Sequence, residues 1–177
     1  NRNLINLFTT PISLIEFIIA TLILGLIKLL MVILFMGLIA FFLYRFNIFF
    51  YGWYLLPAIV NLTLVGWWVG FIIDGLIFRY GYKIQAFAWA FIFVLYPFSA
   101  VLYPVEILPP WARHISAVLP TSYIFENMRA ILFSGKFNAL DIYIALTLNL
   151  IYLILSTIFL KLMFKNALQN GRLIKLN

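Results

Sequence analysis

YPVEILPPWARHISAVLPTSYIFENMRAILFSG, residues 103–135, is too polar and too often broken by proline to be one membrane span, and too apolar to be an ordinary loop. Pro109-Pro110 ends one element and can open a short helix that runs through Val118. Pro120-Thr121-Ser122 is a second stop and start, with Thr121 or Ser122 as a cap, and a helix of about a dozen residues can follow before Gly135 ends it. Two short helices that dip into one leaflet and return fit this pattern. Backbone without regular structure at that depth must pack on protein or line a wet cavity.

The sequence around this stretch is far greasier. Of 177 residues, 66% are hydrophobic, 19% aromatic and only 10% charged. Soluble domains are about half apolar and a quarter charged, so an ordinary cytosolic enzyme and a disordered chain are both excluded. A helical span needs about 20 apolar residues. Four runs meet that length, at 17–44, 53–78, 84–103 and 142–164. The expected fold is therefore an all-α integral membrane protein with four transmembrane helices and a re-entrant helical hairpin at 105–135, all in a single transmembrane domain, 1–177.

The start of the chain reads differently. Leu4, Leu7 and Phe8 fall at helical spacing among Asn3, Asn6 and Thr10, the pattern of an amphipathic helix on a membrane surface. Thr10-Pro11 punctuates it and can cap the first span, while Ser13 and Glu16, at capping-box spacing, offer a start one turn later.

Topology follows from the basic residues. The formal charge of +7 is spread as single cations between apolar runs, which favours the positive-inside reading over nucleic-acid binding. Four spans put Arg2, Arg79, Lys83, Lys161, Lys165, Arg172 and Lys175 on one side, and Arg45, Arg113, Arg129 and Lys136 on the other. The richer side is expected to be cytoplasmic. It holds both ends of the chain, including the tail 165–177, and leaves the hairpin external.

No catalytic set is present in the sequence. Cysteine is absent and His114 is the one histidine, with only Glu106 nearby as a second metal ligand, so neither a metal site nor a nucleophile triad is expected. Gly135-Lys136 lacks the rest of a phosphate loop. Gly66 and Gly70, one turn apart, are candidates for close helix packing. Lys28, Asn61, Asp74 and Asn149 are the intramembrane polar positions. Structural pairing or snorkelling is the plainer role for the two charges, and hydrogen bonding between helices for the asparagines.

The order of these parts resembles the type-2 ABC-transporter permeases, the membrane subunits of ATP-driven exporters. Three stretches carry the resemblance: Leu7-Phe8-Thr9-Thr10-Pro11-Ile12-Ser13 with Glu16; Gln85-Ala86-Phe87-Ala88-Trp89 with Pro97-Phe98-Ser99-Ala100-Val101-Leu102-Tyr103-Pro104-Val105-Glu106; and Leu108-Pro109-Pro110-Trp111, then Leu119-Pro120-Thr121-Ser122-Tyr123, Glu126 and Arg129. The family has six helices where four are counted here, so the resemblance implies that the first two and most of a cytoplasmic coupling helix lie upstream of Asn1.

The resemblance further implies that Leu4, Leu7, Phe8, Thr10 and Pro11 belong to the end of that coupling helix. The external hairpin, with Glu106, Pro109, Pro110, Trp111, Pro120, Tyr123, Glu126 and Arg129, would cap the substrate exit. ATP and magnesium would sit on a separate nucleotide-binding subunit, with no cofactor bound by this chain. Two permeases, as homodimer or heterodimer, would enclose a path for an amphiphilic, lipid-linked, polysaccharide or drug-like substrate in a prokaryotic plasma membrane. The alternatives are a secondary transporter or channel, for which no inverted repeat is visible, and a membrane assembly factor without an ATPase partner.

Overall fold

A computed structural model describes residues 13–169. Residues 1–12, and with them Leu4, Leu7, Phe8, Thr10 and Pro11, lie outside the described residues. Helix α1 covers Leu14–Tyr44, α2 Leu55–Tyr80, α3 Gln85–Leu95, α4 Pro110–Ala117, α5 Pro120–Ser134 and α6 Ala139–Gln169.

The cap of α1 is local chemistry. The Ser13 hydroxyl accepts from the Glu16 N–H at 3.3 Å, and the Glu16 carboxylate accepts from the Ser13 N–H at 2.8 Å. These two bonds satisfy donors that a helix start leaves free. Every residue of α1 keeps some exposure. Only one flank, with Phe17, Ile18 and Leu22, packs inward, against Phe71, Phe78 and Leu160.

Helix α2 is preceded by a 3-10 segment, Ile48–Tyr54, kinked at Gly52. Pro57 sits in the first turn of α2, where its missing N–H costs nothing. Helices α2 and α6 form the central pair. Gly75 lets them close: a Cβ built there would lie 2.7 Å from the Phe159 ring and 3.6 Å from the Leu160 Cα. No such approach occurs at Gly66 or Gly70, where a built Cβ meets no described atom within 4 Å. Gly66 and Gly70 lie on the other side of α2 from the face that carries Asn61, Trp68 and Phe71, so among the described residues it is Gly75 that admits the close approach of α6.

Three helices among the described residues are long and apolar enough to cross a membrane: Leu14–Tyr44, Ile48–Tyr80 and Ala139–Gln169. The run at 84–103, read from sequence as a full span, is different. Its α-helix has 11 residues and continues without a break into 3-10 turns at Tyr82–Ile84 and Tyr96–Phe98, so the helical run 82–98 comes close to the roughly 30 Å of hydrocarbon. Pro97 stops it. Proline lacks an N–H and clashes with the preceding turn, so the chain tightens into a 3-10 turn at Tyr96–Phe98 and then leaves helical geometry. Ala100 takes a left-handed conformation, φ 57°.

Helices α4 and α5 follow this unwound stretch, joined through Val118 and Leu119, with Pro110 and Pro120 in their first turns. Gly135, in the left-handed conformation, closes α5. Ile124 of α5 packs with Ala58 of α2 and Ala145 of α6, so the hairpin rests on the central pair.

Candidate functional site: a hairpin that satisfies unwound backbone

Residues 99–104 have left helical geometry and 105–107 form a single 3-10 turn, and side chains of the hairpin bond to backbone groups along this stretch. The hydroxyls of Ser116 and Ser122, both buried, reach the Phe98 carbonyl oxygen at 2.7 and 3.0 Å and lie 2.9 Å apart. Arg129 donates through Nη2 to the Ala100 carbonyl at 2.8 Å and through Nη1 to Glu126 Oε1 at 2.8 Å. The same Glu126 oxygen accepts from the Val105 N–H at 2.7 Å. Arg113 donates through Nε to the Leu108 carbonyl at 2.8 Å and through Nη2 to the Glu106 carbonyl. Charged groups make the strongest of such bonds, and fixed charge pairs hold orientation as well as energy.

The tip of the hairpin is tied in the same way. The Tyr123 hydroxyl donates to the Ala117 carbonyl at 2.8 Å, and the Tyr152 hydroxyl donates to the Val118 carbonyl at 2.7 Å. Tyr152 lies near the middle of α6. The outer end is closed by Asn127, whose amide brackets the backbone of Asn138, while the Asn138 side chain accepts from the Leu140 N–H at 3.1 Å at the start of α6. The hairpin therefore runs from the first turn of α6 to its midpoint.

Among the other residues singled out in the sequence, Pro109 precedes α4 and Pro110 opens it. Trp111 is exposed and sets its ring edge against Phe98, centroids 5.9 Å apart. The Glu106 side chain is exposed, and its backbone carbonyl takes part rather than its carboxylate. Pro120 is buried at the start of α5.

A second polar cluster joins α2 and α6 beside the hairpin. Asn149 donates through Nδ2 to Asn61 Oδ1 at 3.0 Å and to the Asn61 carbonyl at 3.1 Å, and its Oδ1 accepts from Trp68 Nε1 at 3.1 Å. Asn61 Nδ2 in turn donates to the Pro57 carbonyl at 2.9 Å. Asn61 and Asn149 are both buried, so each amide is satisfied inside the protein, as an apolar surrounding requires. The Trp68 ring also meets Tyr152, centroids 5.1 Å apart, which links this cluster to the hairpin tip.

Lys28 and Asp74 are not brought together. Lys28 is exposed at the centre of α1, Asp74 is half-buried on α2, and among the described residues no ion pair joins them. His114 is exposed, and no group of three or more potential metal ligands occurs among the described residues.

Two cavities flank the hairpin and share no lining residue. One, of about 180 Å3, is walled by the middle of α2, by α3 and by Leu119–Thr121 at the tip, with almost wholly apolar surface. The other, of about 270 Å3, is lined by Val105, Arg113, Ser116, Tyr123, Glu126 and Asp141.

Ser116, Ser122, Trp68 and Gly75 were not marked as site residues by sequence. A serine in an apolar stretch is a signal of need for a partner, but its partner, the Phe98 carbonyl, lies 18 and 24 residues away. Trp68 and Gly75 carry no signal that separates them from Trp67 and Gly70.

Long apolar helices around a hairpin whose polar side chains repair unwound backbone define an integral membrane protein. Its family is set by comparison: the family model described as ABC-2 type transporter matches residues 1–133. The chain belongs to the ABC-2 type transporter family, as a membrane domain of that transporter class. No curated protein and no solved structure matches it.

Proposed function

We propose that this chain is the permease subunit of an ATP-driven exporter and forms half of a transmembrane path for an amphiphilic substrate. A separate nucleotide-binding subunit hydrolyses ATP and drives it through the cytoplasmic segment 1–10. A second permease, identical or related, completes the path, and the hairpin forms its external, re-entrant cap. Both ends of the chain face the cytoplasm of a prokaryotic cell. Membership of the ABC-2 family supports the reading. The structural observation that carries it is the hairpin tip, where the Val118 carbonyl accepts a hydrogen bond from the Tyr152 hydroxyl at mid-α6. An ordinary external loop would not reach that depth.

Co-purification tests the partnership. The full-length protein is expected to bring down an ATPase with a phosphate-binding loop. Charge reversal at Arg2 or proline insertion within 1–10 is expected to lower transport-coupled ATP hydrolysis while leaving the complex assembled. Wild-type coupling in those variants overturns the role of 1–10, and absence of any ATPase partner overturns the exporter reading.

A further inference from the structure

Helix α6 has two faces of opposite character. Ala145, Asn149, Ser156, Leu160 and Met163 are buried on one face, and it is there that α1, α2 and the hairpin pack. On the other face Tyr143, Leu150, Ile154 and Ile158 are exposed. This exposed stripe ends on Lys161 and Lys165, which are exposed as well. At 1.5 Å per residue the stripe rises about 27 Å from Tyr143 to Lys161 and about 33 Å to Lys165, which brackets the roughly 30 Å of hydrocarbon. The Tyr143 phenol thus lies at one membrane surface. The two ammonium groups lie at the other, where long lysine stems reach headgroup level.

The lysine pair lacks an anion. Residues four apart on a helix are neighbours, about 5–6 Å between Cβ atoms, and like charges there repel. Neither lysine meets a carboxylate among the described residues. The one acid on α6, Asp141, sits in its first turn, at the opposite end. Glu16 and Asp74, the acids nearest the level of the pair, belong to α1 and α2, on the buried side of α6. We propose that Lys161 and Lys165 hold the phosphate of an anionic phospholipid in the leaflet at that end of α6, with its acyl chains along Ile154 and Ile158. Charge selects the phosphate, which a lysine binds as a point charge. The flanks of the pair select lipid as its source: Ile158 and Leu168, about one turn to either side, are apolar and exposed. The stripe faces away from the hairpin and from α2, so this lipid is a bound neighbour of the protein and not its cargo. The site requires neither ATP hydrolysis nor a second permease, so it stands or falls apart from the exporter reading.

The test titrates the full-length protein, delipidated in detergent, with dioleoyl phosphatidylglycerol and reads binding by native mass spectrometry. Dioleoyl phosphatidylcholine, with the same tails and no net charge, is expected to bind more weakly. Lys161→Gln and Lys165→Gln should each weaken phosphatidylglycerol binding about fivefold, the ratio for one basic residue at an anionic surface. Lys161→Arg, which keeps the charge, should retain it. Lys136→Gln removes the same charge ahead of the other end of α6 and should leave binding unchanged. A second measurement needs no variant: wild-type protein in phosphatidylcholine vesicles is irradiated with a phosphatidylglycerol that carries a diazirine on its headgroup. Adducts mapped by peptide mass spectrometry are expected on residues 158–168, above the level around Tyr143. Equal affinity for the two lipids overturns the proposal, as does an equal loss in Lys136→Gln. So does full binding in a Gln variant with the wild-type melting temperature. Displacement of the lipid by an equal concentration of inorganic phosphate, or headgroup adducts no denser at 158–168 than at Tyr143, overturns it as well.

Discussion

The Arg129 guanidinium donates a hydrogen bond to the carbonyl oxygen of Ala100 at 2.8 Å, 29 residues back along the chain. Ala100 is buried and in the left-handed conformation, a geometry that costs a non-glycine residue about 1 kcal/mol or more. Its carbonyl has no helical partner, so Arg129 both satisfies and holds the strained turn. Arg129→Ala removes this bond and leaves the Glu126 carboxylate without its cation. The expected loss is about 2 kcal/mol, the scale of hydrogen bonds to charged groups. Glu126→Gln keeps an acceptor for the Val105 N–H and should lose less. Thermal unfolding in detergent, with protease cleavage of residues 99–108 as a local readout, checks the order. Equal melting temperatures for wild type and Arg129→Ala would refute it.

Asn149 is expected to matter through what it leaves behind. Asn149→Leu orphans Trp68 Nε1 and the Asn61 side-chain oxygen inside the membrane-spanning pair. Hydrogen bonds between such helices contribute about 0.6–2 kcal/mol, and the variant should lose that amount. Trp68→Phe in the Asn149→Leu background removes one orphan donor and should recover part of it. A double-mutant cycle on melting in detergent measures the coupling. Strict additivity would show that the two side chains do not act as a unit.

Gly75 and the Gly66–Gly70 pair make opposite predictions from the same residue type. Gly75→Val drives a branched side chain into the Phe159 ring and should cost about 1–3 kcal/mol, the range for overpacking. Gly66→Val and Gly70→Val meet open space within the chain and should leave the stability of the isolated chain near wild type. The comparison is made by unfolding of the three purified variants. A larger loss at Gly66 or Gly70 than at Gly75 would contradict the packing of α2 on α6.

The orientation in the membrane is tested by the natural absence of cysteine. Lys136→Cys lies between α5 and α6, and Lys165→Cys near the far end of α6. Both positions are exposed. A membrane-impermeant maleimide added to intact cells should label the first and spare the second until the membrane is opened. The reverse pattern would invert the proposed topology.

The long spans were legible because apolar content over 20 or more residues depends on composition alone. The short hairpin helices were legible for a related reason: Pro110, Pro120 and Gly135 act on the backbone next to them, whatever lies beyond. The run at 84–103 keeps its apolar character beyond its regular helix for a reason equally physical. Hydropathy counts apolar residues and does not register that Pro97 removes a donor and ends the helix, so greasy sequence continued where helix did not.

By itself the sequence determined that this protein must live in a membrane and where prolines interrupt it, since each of these follows from local chain chemistry. Only the tertiary structure decided which polar side chains repair which carbonyls. Arg129 finds Ala100, Ser116 and Ser122 find Phe98, and Asn149 finds Asn61, because folding brings distant segments within hydrogen-bond reach. Only the structure, likewise, chose Gly75 over Gly66 and Gly70 as the point of closest helix approach. A glycine's spacing says that a helix can come near, but the face that a helix buries is set by all of its neighbours together.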